Sequence, residues 1–111
     1  MEQEEEKSLK LTLTQGDRSY FVPPEDVGHC RSQGNYTELH LSDGRRFISA
    51  RTLKEYEEML EPWGFLRVHR NSLVNCSAIS HFKDDHLVMA DGNLLKVSRR
   101  KRGDVLKALR H

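Results

Sequence analysis

Tyr36-Thr37-Glu38-Leu39-His40-Leu41-Ser42-Asp43-Gly44-Arg45-Arg46-Phe47-Ile48-Ser49-Ala50 is the stretch whose reading decides the fold class. Leu39 and Leu41 recur with a period of two and share one face of a strand, while Glu38 and His40 occupy the other. Asp43-Gly44 is a dipeptide that closes two-residue hairpins, where both central residues need positive φ. Arg46 to Ala50 is then the returning strand.

The same grammar extends in both directions. Upstream, Leu9, Leu11 and Leu13 alternate with Lys10, Thr12 and Thr14 as a half-buried strand. Gln15-Gly16-Asp17 turns this strand into Ser19 to Val22, and Pro23-Pro24 ends the hairpin. A third strand is expected from Val27 to Ser32, weakened by Gly28 and Arg31, before Gln33-Gly34-Asn35 turns the chain. Downstream, Phe65 to Val68 and Leu73 to Phe82 are expected to be extended. Asp91-Gly92 joins His86 to Met89 with Leu94 to Val97 in a second hairpin.

Two stretches are helical in pattern. Thr52-Leu53-Lys54-Glu55 opens as a capping box, in which the threonine oxygen and the glutamate satisfy orphan amides. Leu53, Tyr56, Met59 and Leu60 follow at helical spacing until Pro62 and Gly64 stop the run. The tail from about Arg100 to Arg110 carries Val105, Leu106 and Leu109. The expectation is a mainly β domain of small antiparallel sheets with one short central helix and a C-terminal helix.

A chain of 111 residues is one domain by ordinary size. Its 18 Lys and Arg nearly balance 17 Asp and Glu, so the total charge selects no partner. The distribution does. Met1 to Glu6 is acidic, and 1–8 reads as a tail or linker remnant ahead of a domain over 9–111. Lys96, Arg99, Arg100, Lys101, Arg102, Lys107 and Arg110 crowd the other end against Asp104 alone, enough for a cationic surface on a neutral protein. Cys30 and Cys76 have no metal-type spacing and read as free thiols in a reducing compartment. No apolar run has the length of a membrane span and no signal segment opens the chain, so a soluble cytoplasmic protein is expected.

Catalysis finds little support. The six histidines, His29, His40, His69, His81, His86 and His111, do not pair with one another or with cysteine at ligand spacing. No phosphate loop, nucleophile elbow or carboxylate pair stands out. No metal, cofactor or small-molecule substrate is therefore expected.

Nucleic-acid binding fits better, though not through a recognition helix. Glu55, Glu57, Glu58 and Glu61 on the central helix would be repelled by a duplex backbone, so that helix is expected to face away from DNA. Three polar segments at turns and strand ends remain. These are Gln33-Gly34-Asn35-Tyr36, the corner His69-Arg70-Asn71-Ser72, and Ser98-Arg99-Arg100-Lys101-Arg102. Arg and Asn read guanine and adenine edges, while Lys, Ser and backbone amides mostly hold phosphate.

These segments also carry a resemblance. Phe65-Leu66-Arg67-Val68-His69-Arg70-Asn71-Ser72-Leu73-Val74-Asn75 resembles the central signature of LytTR domains, which are effector domains of bacterial transcription regulators, many of them in two-component systems. Asn35-Tyr36 followed by an alternating strand and Asp43-Gly44 is similar to the family's first hairpin. Leu95-Lys96-Val97-Ser98-Arg99-Arg100 is similar to its closing element, and Leu53 to Leu60 to its central helix. The resemblance runs from about Leu9 to Leu109.

It implies an elongated β-β-β fold of three small sheets, whose loops enter successive major grooves of direct repeats and bend the duplex. By position it implies DNA contacts from Asn35, Arg70 and Arg99, with Asn71 and Arg100 sharing those roles. Lys101 and Arg102 would hold phosphates, while Tyr36, His69 and Ser98 complete the site. Two departures stand out: Arg31-Ser32 replaces an acidic-small pair, and Leu73 stands near where an aromatic is common. Family members commonly follow a phosphorylatable receiver, so the chain reads either as an effector domain or as a stand-alone regulator, monomeric until it pairs on tandem half-sites.

Two rival functions remain at this level. A β-rich protein-interaction or sensory module is consistent with the near-neutral total charge. Single-strand binding needs exposed aromatics as stacking platforms, and most of Tyr20, Phe21, Tyr36, Phe47, Tyr56, Trp63, Phe65 and Phe82 fall at core-like positions.

Overall fold

The structure, a computed structural model, describes residues 9–110. The proposed acidic tail over 1–8 and His111 lie outside the described residues. Three antiparallel sheets are stacked into a slab of 40 × 36 × 23 Å. The first is the hairpin of β1 (Leu11–Gln15) and β2 (Arg18–Val22). The second has five strands, β3 (Val27–Gln33), β4 (Tyr36–Leu41), β5 (Arg46–Ser49), β6 (Phe65–His69) and β7 (Ser72–Asn75), in the order β5-β4-β3-β7-β6. The third is β8 (Ile79–Lys83), β9 (His86–Met89) and β10 (Leu94–Lys96), in the order β10-β9-β8. Small antiparallel sheets with two short helices are what the sequence predicts.

The five-stranded sheet is apolar on both faces, which explains the layering. On one face Cys30, Leu39, Phe47 and Leu73 meet Leu11, Leu13 and Val22 of the hairpin and Leu53, Tyr56 and Leu60 of helix α1 (Leu53–Leu60). On the other, Val68 and Val74 meet Leu87, Met89, Leu95 and Val97 of the third sheet and Val105 of helix α2 (Arg102–Leu109). Each fully buried Leu or Val contributes about 1.5–3 kcal/mol relative to exposure, so each outer layer is held by several such contacts.

Helix α1 starts as expected. Thr52 Oγ1 accepts from the Glu55 amide at 3.1 Å and Glu55 Oε1 accepts from the Thr52 amide at 2.7 Å. Such caps contribute about 1 kcal/mol. Tyr56 donates to Ser49 Oγ at 2.6 Å and so ties the helix to β5.

Several expectations are corrected. Leu9 precedes β1 and is exposed, because the inward face begins at Leu11. The stretch from Leu73 to Phe82 is not continuously extended. A 3-10 turn, Cys76–Ala78, interrupts it and carries the chain from the second sheet to the third. Buried Asn75 holds this crossing: its Nδ2 donates to Val27 O at 2.9 Å, and its Oδ1 accepts from the Ser77 amide at 3.0 Å.

Neither Asp-Gly dipeptide forms a two-residue turn. In each the loop is one residue longer, closed by Leu41 N to Arg45 O and by Met89 N to Asn93 O, both at 2.9 Å. Only Gly44 and Gly92 take positive φ there, and Asp43 and Asp91 instead bond the amide two residues on. The turn with two left-handed residues is Asp84-Asp85, between paired Lys83 and His86. The terminal helix starts at Arg102, after a 3-10 turn at Arg99–Lys101. Cys30 and Cys76 are free thiols, and burial pushes both up from the ordinary thiol range.

Candidate nucleic-acid interface

Strand pairing brings the three polar segments together. Gln33 lies opposite Tyr36, so Gly34-Asn35 is the loop at one end of the five-stranded sheet, with Gly34 at φ 61°. Arg31 lies opposite Ser72, so the corner between β6 and β7 falls at that same end. Ser32 binds the corner directly, its amide to Asn71 O at 3.0 Å and its hydroxyl to Asn71 Oδ1 at 2.9 Å. The Ser98 amide donates to Val68 O at 2.9 Å and brings the third segment alongside. The Asp43-Gly44 turn, by the alternation of strand direction, lies at the far end of the sheet.

The side chains differ in how free they are. Asn35, Tyr36, Arg70, Arg99 and Arg100 are exposed, and Lys101 is half-buried. His69 is half-buried, with Nδ1 accepting from the Asn71 amide at 3.1 Å. That bond assigns the ring proton of neutral His69 to Nε2. Burial, followed by the neighbouring Arg70, Lys96 and Arg67 cations, lowers the His69 pKa and so favours the neutral ring. Ser98 Oγ accepts from the Lys101 amide at 3.2 Å and opens the 3-10 turn that presents Arg99 and Arg100. Arg102 is engaged: it pairs with Asp85 at 3.2 Å and lies 5.7 Å over the Phe82 ring.

Two clefts flank the His69 and Arg99 side chains. One of about 480 Å³ is lined by Glu57, Arg67, Arg70, Arg100 and Lys101 in addition to these two. The other, of about 560 Å³, adds Asp85, Lys96 and Arg102. Among the described residues Arg70, Lys96, Arg99, Arg100 and Lys101 have no acidic partner. A run of uncompensated cations on a concave surface focuses a positive potential and favours a polyanion.

Residues 17–110 match the family model described as the LytTr DNA-binding domain. The chain belongs to the LytTr DNA-binding domain family. A LytTr DNA-binding domain from Bacillus cereus superposes with a TM-score of 0.82 at 24% identity, over 94% of this chain and 99% of that one, which shows the shared fold. The CO-responsive transcriptional regulator RcoM of Rhodospirillum rubrum is 32% identical over 74 residues, 67% of this chain and 31% of that protein. The sensory transduction protein LytT of Oceanobacillus iheyensis is 29% identical over 70 residues, 63% of this chain and 28% of that protein. The chain thus spans about a third of the length of these curated relatives. No helix among the described residues is long and apolar enough to cross a membrane.

This LytTr domain gathers Asn35, Tyr36, His69, Arg70, Asn71, Ser98, Arg99, Arg100, Lys101 and Arg102 at one end of the slab. Three further residues lie on this surface that the sequence reading did not assign to the site, although it counted Lys96 among the basic residues of the C-terminal end. Lys96 enters the second cleft from β10, and alternation about buried Leu95 is the signal that marks it as outward-facing. Arg67 lies beneath the corner and Glu57 reaches it from α1. The central helix packs by its apolar stripe, with Leu53, Tyr56 and Leu60 buried, while Glu57 lines the first cleft.

Proposed function

We propose that this LytTr domain binds double-stranded DNA with sequence specificity and regulates transcription through that contact. The observation that carries the reading is the convergence of three segments, remote in sequence, into one surface rich in uncompensated cations. Turns and strand ends supply most of it, as loops that enter a major groove would require.

Roles divide by side-chain chemistry. Asn35, Arg70 and Arg99 read bases, with Arg100 sharing that task. Lys101 and Lys96 hold phosphates, because a point charge suits a phosphate better than a bidentate edge. Asn71 and Ser98, whose oxygens are already engaged within the protein, act chiefly by setting loop geometry. Successive grooves are reached on direct repeats about one helical turn apart, and bending of the duplex adds indirect readout. Two copies pair on tandem half-sites, and a sensor or receiver in the parent regulator supplies the signal, acting in the bacterial cytoplasm where the duplex lies.

Selection from a random duplex pool, followed by salt titration of the winner and a scrambled control, tests the reading. Enrichment of two similar half-sites, with affinity falling steeply in salt, is the expected result. Equal binding of scrambled DNA, or preference for single strands, would sink it. Arg99→Ala should relax discrimination at one base pair by about 1–3 kcal/mol if it reads a guanine; Lys101→Ala should weaken all sequences alike.

A further inference from the structure

Arg67 makes an unusual set of contacts for a cation at the edge of a basic surface. Its Nε donates to His69 O at 3.0 Å, its Nη2 to Arg70 O at 2.6 Å, and its Nη1 to Glu57 Oε1 at 2.8 Å. Its side chain is 20% exposed. One planar fork thus joins two consecutive corner carbonyls to a carboxylate on α1. The β6–β7 pairing is irregular at this point, with a register shift between Arg67 and His69. A bulge frees local backbone groups from the ladder and re-aims the side chains that follow.

From this geometry we infer that Arg67 is a positioning residue for DNA recognition, a clamp that sets the direction of Arg70 and is itself aimed by Glu57. The inference rests on the DNA-binding reading above. Arg67 contacts no DNA in this scheme. Its charge is answered by Glu57 and three of its five N–H donors, one on each nitrogen, are engaged within the protein, so it has less to offer a phosphate than Arg70 or Arg99. The guanidinium is required because its donors are spread around a rigid plane and reach acceptors on two segments at once. Lysine carries its donors on one atom and cannot span the same three oxygens. A glutamate beside a polyanion site weakens binding by simple electrostatics, and the clamp gives Glu57 a function that offsets this.

The test compares wild type, Arg67→Lys, Glu57→Ala and Arg70→Ala, with Arg67→Lys and Glu57→Ala also made in the Arg70→Ala background. Each is measured against the selected duplex and a scrambled duplex across a salt series, with thermal unfolding to check folding. Glu57→Ala keeps a helix-favouring residue at a half-exposed site, so it reports even if Arg67→Lys unfolds. Arg67→Lys should lose about tenfold in affinity for the selected duplex with the salt slope unchanged. Glu57→Ala should bind scrambled DNA more tightly while its selected-to-scrambled ratio falls. Both effects on that ratio should largely vanish once Arg70 is Ala. A rise of both affinities in parallel for Glu57→Ala, an unchanged ratio in Arg67→Lys, a salt slope shallower by about one, or the same loss without Arg70 each overturns the clamp. If wild type itself does not discriminate between the duplexes, the DNA-binding reading falls, and the clamp with it.

Discussion

Ser32 and Asn71 are joined twice, backbone to backbone at 3.0 Å and hydroxyl to amide oxygen at 2.9 Å. These two bonds hold the first and second loops at a set separation, although the residues are 39 positions apart in the chain. Ser32→Ala and Asn71→Ala should each weaken binding to the selected duplex by about three- to tenfold, the value of one hydrogen bond. The double variant should lose no more than the worse single one. A much larger loss for Asn71→Ala alone in quantitative binding assays would make Asn71 a base reader instead of a strut.

Asp85 restrains a cation. It pairs with Arg102 at 3.2 Å, and both side chains are more than half exposed, so the pair itself adds little stability. Asp85→Asn should free Arg102, raise affinity for every duplex sequence and steepen the salt dependence by about one phosphate equivalent. Asparagine is the substitution of choice, because position 85 sits at φ 63° and asparagine tolerates that left-handed backbone. An unchanged salt slope would show that Arg102 stays on Phe82 and away from the duplex.

Asn75 holds two backbone groups at the crossing between sheets from a buried position. Asn75→Ala leaves the Val27 carbonyl and the Ser77 amide without that partner. Urea denaturation should show a loss of about 1–3 kcal/mol. A loss below half a kcal/mol would mean that water replaces the side chain.

His29 is fully buried, stacked on His40 at 4.3 Å between ring centroids, with neither ring nitrogen hydrogen-bonded to protein. Burial lowers its pKa from 6.5 to about 4; the His40 and Arg31 charges act the same way, and Asp91 and Glu38 oppose them. A lowered folded-state pKa means the unfolded chain binds the proton more tightly. Stability from neutral His29 is therefore complete above pH 6.5 and is lost as pH falls toward 4. The loss amounts to roughly 3 kcal/mol. His29→Phe should flatten that part of the stability profile, measured as ΔG of unfolding against pH. Parallel profiles for variant and wild type would refute the assignment.

Local patterning already carried the mainly β class, both helices and most of the strands, because each rests on short-range physics. Alternation marks a half-buried strand, and Thr52 with Glu55 caps a helix whatever lies beyond it. The family resemblance in residues 65–75 and 95–100 likewise located the basic segments. Local signals misled where the residue pattern suited more than one backbone course. Leu9 alternates correctly but has no layer above it. Asp43 and Asp91 bond their own loop amides, which selects the longer turn. The Leu73–Phe82 stretch bends where buried Asn75 meets Val27.

The site divides in the same way. The family resemblance singled out Asn35, Arg70 and Arg99 within the three polar segments that residue type nominated, since a side chain's hydrogen-bonding capacity is intrinsic to it. Whether a cation is free or engaged is not. Arg67 and Arg102 look as available as Arg70 and Arg99 in the sequence, yet Glu57 and Asp85 engage the first two and leave the others open. Charge pairing acts over a few ångströms in space, and the folded sheet order sets those distances. The sequence determined which chemistries this domain can use; the tertiary structure decided which copies of them face outward, unpaired, at one end.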